Sequence, residues 1–230
     1  VTPEQPIPPV SGTASTVTAA AQAPAVSAVR SDPVPRMSAT RRRELVLEAA
    51  TRVFGDEGYA GATTDKVARA AGVSQPYVVR IFGTKENLFL EVMERAGNRL
   101  LAAFTEEIAR IDSELALPHR LGLRYVTMLQ DRGLVLSLMH GFALGADPVI
   151  GASARCGFMN IYRLVVNEGG FTPAEAYQFL AGGMMINTML GLRMGDEFDT
   201  DPDVRDLLRE AFPEKLDVFL AVTRSHQERA

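Results

Sequence analysis

Residues 63 to 85 read TTDKVARAAGVSQPYVVRIFGTK, and this order of apolar, glycine and capping residues admits few folds. Val67, Ala68 and Ala71 form a narrow apolar stripe of helical period. Gly72 supplies a residue that can take the left-handed conformation and so end that helix. Ser74 then stands as an N-cap, with Pro76 inside the first turn, where a missing N–H is no loss. Val78, Val79, Ile81 and Phe82 are expected to anchor the second helix, leaving Gln75, Tyr77 and Arg80 to point outward. Two short helices, a glycine turn and an exposed polar N-terminal half make the layout of a DNA-reading helix-turn-helix.

Upstream, Val46, Ala49, Ala50, Val53 and Phe54 recur at i, i+3, i+4, i+7 and i+8, the buried stripe of an amphipathic helix that Gly58 should end. Tyr59 is expected to cover the small core. With that helix in front, the string FGDEGYAGATTDKVARAAGVSQPYVVRIFGTKENLF, residues 54–89, resembles the DNA-binding domain of the TetR family of bacterial transcription regulators. The resemblance spans about fifty residues; the rest of the chain is similar to the family only in length and helical character. It implies an all-α protein: an N-terminal three-helix helix-turn-helix domain joined to a larger helical ligand-binding and dimerisation domain. The expected division is a disordered tail over residues 1–36, a DNA-binding domain over 37–85 and the body over 86–230.

Net charge fits this division. The total of −4 hides eight Lys/Arg against six Asp/Glu in residues 37–90, and fourteen against twenty from residue 91 onward. Positive charge gathers where phosphate would be met. Arg41, Arg42 and Arg43 open the first helix, where the family's basic residues touch phosphate or the minor groove; a solvated helix end is the other reading. Thr63 or Thr64 caps the next helix and offers a hydroxyl and N–H groups to phosphate. Lys66 stands where a capping box would need an acid, and is a candidate phosphate contact instead. Gln75 can pair with adenine, Arg80 with guanine or phosphate, and Tyr77 can pack on sugar-phosphate or a thymine methyl. Ser74 and Pro76 fix the start of the reading helix. Thr84 caps the following helix, with Lys85 at its N-terminus suited to phosphate. Arg80-Ile81 replaces the Tyr-His pair common in relatives, so their phosphate-contacting hydroxyl is not expected here.

The first 36 residues are rich in Pro, Ala, Val, Ser and Thr and nearly free of charge, a composition that cannot repay its ordering entropy. They lack the charged start and apolar core of a signal peptide, and Met37 reads as an alternative start. A single Cys156 suits a reducing cytoplasm, and no apolar run approaches the ~18–20 residues of a membrane span. His119, His140 and His226 show no metal-ligand spacing, and neither a phosphate loop nor a nucleophile elbow occurs. No enzyme activity, cofactor or metal is expected.

Beyond a long helix over residues 86–111, helices are expected at 118–131, 134–144, 148–168, 173–194 and 213–224, broken at proline, glycine and acidic positions. No strand alternation survives. Polar residues set among methionines and apolar residues suit a cavity for an apolar small molecule. The candidates are Tyr125, Met128, Leu129, His140, Met159, Tyr162, Met184 and Asn187. Ala181, Gly182 and Gly183, with Leu216, Phe219 and Leu220, are expected at a homodimer interface. The function expected is a repressor that holds a pseudo-palindromic operator in double-stranded DNA and leaves it when a small inducer binds, with the 86–111 helix as transmitter. The alternative is a sequence-tolerant DNA-binding protein whose body recruits a protein partner.

Overall fold

The computed structural model describes residues 38–111 and 114–224. The expected tail, Met37 and His226 lie outside the described residues. Ten α-helices and one 3-10 turn follow in order, and no strand occurs among the described residues.

α1 (Ala39–Gly61) is capped by Ser38, whose hydroxyl accepts the Arg41 N–H at 3.1 Å. Gly58, at φ 69°, breaks it as expected, and one further turn follows to Gly61. α2 (Thr64–Ala71) and α3 (Gln75–Phe82) form the reading pair. α4 (Lys85–Ala109) starts from Thr84, which accepts the Asn87 N–H at 3.0 Å. α5 (Leu117–Met128), α6 (Arg132–Ala143), α7 (Ile150–Asn167) and α8 (Pro173–Gly191) build the body.

The acidic stretch after α8 holds more structure than its sequence announced. A 3-10 turn (Met194–Glu197) leads to α9 (Pro202–Ala211), a helix the sequence reading left out. Asp201 caps it by accepting the Asp203 and Val204 N–H groups at 2.8 and 3.2 Å. α10 (Leu216–Arg224) closes the described chain.

Three apolar clusters fill the interior, and α4 is the spine through all of them. Leu88, Phe89, Val92 and Met93 join Val46, Phe54, Val67, Val78 and Phe82 in the head. Ala96 reaches a second cluster made by α5, α6, α8, α9 and α10. Leu100 and Phe104 enter a third, with Leu121, Ile161 and Phe171. The head cluster also takes in Ile150 and Ala154 of α7, so head and body share buried side chains. Among the described residues no helix is long and apolar enough to cross a membrane.

Candidate nucleic-acid interface and body cavity

Local chemistry builds the reading pair. Thr63, not Thr64, caps α2 and accepts the Lys66 N–H at 3.1 Å. Gly72 takes φ 66°, and the Val73 N–H returns to the Ala68 carbonyl at 3.0 Å, closing the helix end. Ser74 stands at the N-cap of α3 with no side-chain cap hydrogen bond, and Pro76 lies in the first turn. Val78 and Phe82 are buried. Val79, expected among the anchors, is 39 % exposed instead. The physical reason is the helical period: with Val78 and Phe82 inward at i and i+4, Val79 is turned roughly 80° from their mid-line, onto the flank it shares with Pro76. That face carries an apolar group suited to a thymine methyl, which the sequence reading missed although the spacing held the signal.

The remaining candidates divide by what already holds them. Arg80 and Arg42 are both exposed and rest on the Tyr77 ring, 5.1 and 5.5 Å from its centroid. The N-terminus of α1 therefore meets the reading helix at one aromatic ring. Arg41 lies 3.6 Å from Glu48, while Arg43 pairs with Glu91 and covers the Phe82 ring. Gln75 donates from Nε2 to Thr64 Oγ1 at 3.2 Å, tying α3 to α2 and keeping its amide oxygen for other partners. Lys66 pairs with Glu57 and donates to the Gly61 carbonyl at 3.1 Å. Lys85 donates to the Tyr59 and Ala62 carbonyls at 2.9 and 3.2 Å and lies over the Tyr59 ring. Both ammonium groups thus fasten the end of α1. Tyr59 itself packs on Phe54 and Phe89. Thr63, Ser74, Pro76 and Thr84 are exposed, and Thr64 is half-buried.

In the body, α4, α5, α6, α7 and α8 line a cavity of about 260 Å³ that is partly open to solvent. Tyr125, Met184 and Asn187 line it as expected. The other five candidates do not. Leu129 is fully buried in the second cluster, and Met128 and Tyr162 pack on the third. Met159 is exposed, and His140 turns to the head. The sequence reading missed Phe104, Phe158 and Phe179, and the glycines Gly122 and Gly183, which leave the walls thin. Helix crossings rather than composition decide which faces converge.

Two polar side chains meet inside the cavity wall. The Tyr125 hydroxyl donates to Asn187 Oδ1. Burial pushes the Tyr125 phenol up to about 12, against a smaller lowering by Asn187, so the hydroxyl remains a donor at neutral pH.

One helix joins cavity and head. Leu138 and Phe142 of α6 line the cavity. Its other face, Gly133, Ser137 and His140, lies on Thr51, Gly55 and Gly58 of α1. A Cβ on Gly55 would stand 2.6 Å from the Gly133 Cα, so the two backbones touch. Ser137 Oγ lies 3.3 Å from the Thr51 carbonyl, and His140 Nε2 lies 3.3 Å from that of Gly55. A Cβ on Gly58 would meet the His140 ring at 3.3 Å.

Comparison with known proteins agrees with this geometry. Residues 46–92 match the family model for bacterial regulatory proteins, tetR family. The transcriptional repressor NicS of Pseudomonas putida is 30% identical over 98 residues, covering 43% of this chain and 44% of the relative. The chain thus matches less than half the length of that relative. A solved TetR-family member from Streptomyces coelicolor superposes with a TM-score of 0.56 at 21% identity, over 79% of this chain and 97% of that one. The multidrug binding protein EbrR, solved with ethidium, gives 0.53 at 23%, over 76% and 99%. These two likenesses carry the fold across the body, which the family model leaves unmatched. With the reading pair, its caps and the basic approach to it, they lead to one assignment: residues 46–92 are the DNA-binding domain of the tetR family of bacterial regulatory proteins, joined to a body with the fold of solved TetR-family members.

Proposed function

We propose that the chain is a homodimeric repressor that holds a pseudo-palindromic operator through α2 and α3 and releases it when a small apolar molecule occupies the body cavity. Residues 37–85 act as the reading head and residues 86–230 as the sensing and pairing body. The observation that carries this reading is the double role of α6, whose Leu138 and Phe142 line the cavity while Gly133 lies against α1. A ligand that prefers one placement of α6 therefore prefers one placement of the head, which is the thermodynamic requirement for release.

For direct readout, Arg80, Gln75 and Val79 face the bases, with Tyr77 and Arg42 beside them. Thr63, Thr64, Ser74 and Thr84 supply hydroxyls to the phosphates, with Arg41, Arg43, Lys66 and Lys85 as the surrounding positive charge. Pairing uses the exposed face of α8, where Tyr177, Ala181 and Met185 recur at i, i+4 and i+8. Phe219 does not contribute, being fully buried and stacked on Phe212 at 4.3 Å.

The test is fluorescence anisotropy on DNA taken from beside the gene, against scrambled DNA at two salt concentrations. Tight binding to the first only, relaxed by Arg80→Ala or Gln75→Ala, supports the reading. Equal binding to both DNAs, with the same salt slope, would remove it.

A further inference from the structure

The walls of the cavity carry more chemical information than its size. Seventeen of the described residues line it, and none of these is Asp, Glu, Lys, Arg or His. An ion entering this space would lose part of its hydration and meet no countercharge among the lining side chains, a loss that the faces of Phe104 and Phe142 do not repay. Uncharged occupants remain.

Within that apolar wall the Tyr125–Asn187 pair is asymmetric. Tyr125 donates to Oδ1, which fixes which way the amide faces. The amide nitrogen has two N–H groups, and its partner among the described residues is the Met184 thioether at 4.0 Å, a weak acceptor. Asn187 is only 7 % exposed, so water has little access to satisfy the remainder. A buried donor without a good acceptor is costly, and an incoming acceptor removes that cost. Burial keeps the Tyr125 phenol protonated, so the amide orientation is held across the physiological pH range.

We propose that the cavity selects an uncharged, largely apolar molecule bearing a hydrogen-bond acceptor, which the Asn187 amide receives in the orientation Tyr125 imposes. This rests on the reading of the cavity as a ligand site and adds to it the class of ligand. Tyr125 is a positioning residue, and Asn187 is the specificity determinant.

Three probes of one shape separate the possibilities in calorimetric titration of the full chain. Benzophenone carries a carbonyl acceptor, diphenylmethane lacks it, and benzhydrylammonium carries a positive charge. Benzophenone should bind about five- to tenfold more tightly than diphenylmethane, the factor a net neutral hydrogen bond supplies, and the cation should give no binding. Asn187→Leu should weaken benzophenone to the level of diphenylmethane and leave diphenylmethane unchanged. Tyr125→Phe, which frees the amide to turn, should narrow the same gap. Comparison of the three probes on the unaltered protein stands even if a variant fails to fold. Equal affinity for ketone and hydrocarbon, binding of the cation, or binding of none would overturn the proposal. Operator anisotropy in the same samples separates it from the inducer reading. Selective binding without DNA release removes that reading alone, whereas release by all three probes removes the selectivity alone.

Discussion

Gly55→Ala should destabilise the protein although alanine is the better helix former. Gly55 lies inside α1, where alanine alone would gain about 0.8–1.0 kcal/mol over glycine. Its new Cβ would meet the Gly133 Cα at 2.6 Å and the Gly133 carbonyl oxygen at 2.9 Å. Both are backbone atoms, which cannot rotate away. Restoring an ordinary carbon contact requires α1 and α6 to part by about 1 Å. Overpacking of this kind costs roughly 1–3 kcal/mol. The His140 contact to the Gly55 carbonyl, at 3.3 Å, would stretch beyond hydrogen bonding at a further ~0.5–1.5 kcal/mol, whereas the Ser137 hydroxyl keeps its shorter bond to the Gly133 carbonyl at 2.7 Å. Set against the propensity gain, a net loss of about 0.5–4 kcal/mol follows. Urea unfolding followed by far-UV circular dichroism, at one protein concentration, measures it. Gly97→Ala is the matched control: it lies inside α4 with no atom within 4 Å of its Cβ, and should gain up to ~1 kcal/mol. Opposite signs for the same substitution are the signature. A Gly55→Ala protein as stable as the parent would refute the argument from backbone contact.

Three further outcomes are expected. Arg80→Ala should relax sequence discrimination by ~1–3 kcal/mol at the base it reads, whereas Arg42→Ala should weaken all DNAs alike and lower the salt slope by about 0.9; anisotropy at several salt concentrations distinguishes them. Glu175 caps α8, accepting the Thr172 N–H and hydroxyl at 2.8 Å each, and these bonds hold its carboxyl below the usual 4.5. Its contribution is present above 4.5 and is lost as pH falls through the depressed value, so the urea-midpoint gap between parent and Glu175→Gln should close in acid. Met185→Glu, in the middle of the exposed α8 face, should shift sedimentation from dimer to monomer while the circular dichroism spectrum is unchanged.

The head was readable because its determinants are local. Thr63, Gly72, Ser74, Pro76 and Thr84 act through backbone groups within four residues of themselves, so sequence order alone fixes where α2, α3 and α4 start and stop. Val79 shows the limit of reading by composition: its apolar character said core, while its phase between Val78 and Phe82 said surface. The omission of α9 has a similar cause. Val204, Leu207, Leu208 and Ala211 keep helical period behind an Asp201-Pro202 start, but the acidic run ahead of them read as a loop. The cavity was only partly legible. Tyr125, Met184 and Asn187 come from two helices far apart in sequence, and a crossing of helices decides that they meet while Met128 and Tyr162 turn aside.

In the proposed function, the glycine contact between α1 and α6 would couple a small cavity to a distant reading helix. Side chains between two helices absorb displacement by changing rotamer. Where Gly55 and Gly133 bring backbone to backbone, no such cushion exists. Leu138 and Phe142 project from α6 into the cavity about one and a half and two and a half turns beyond Gly133. An occupant that displaces those two side chains toward the head meets a helix that cannot yield without moving α1. At Gly58, φ 69°, α1 turns, and the last turn beyond it leads to α2 and the reading helix. In the proposed mechanism the His140 ring of α6, which a Cβ on Gly58 would meet at 3.3 Å, adds a second contact at that turn, so a shift of α6 reaches both the shaft of α1 and the segment that leads to the reading pair.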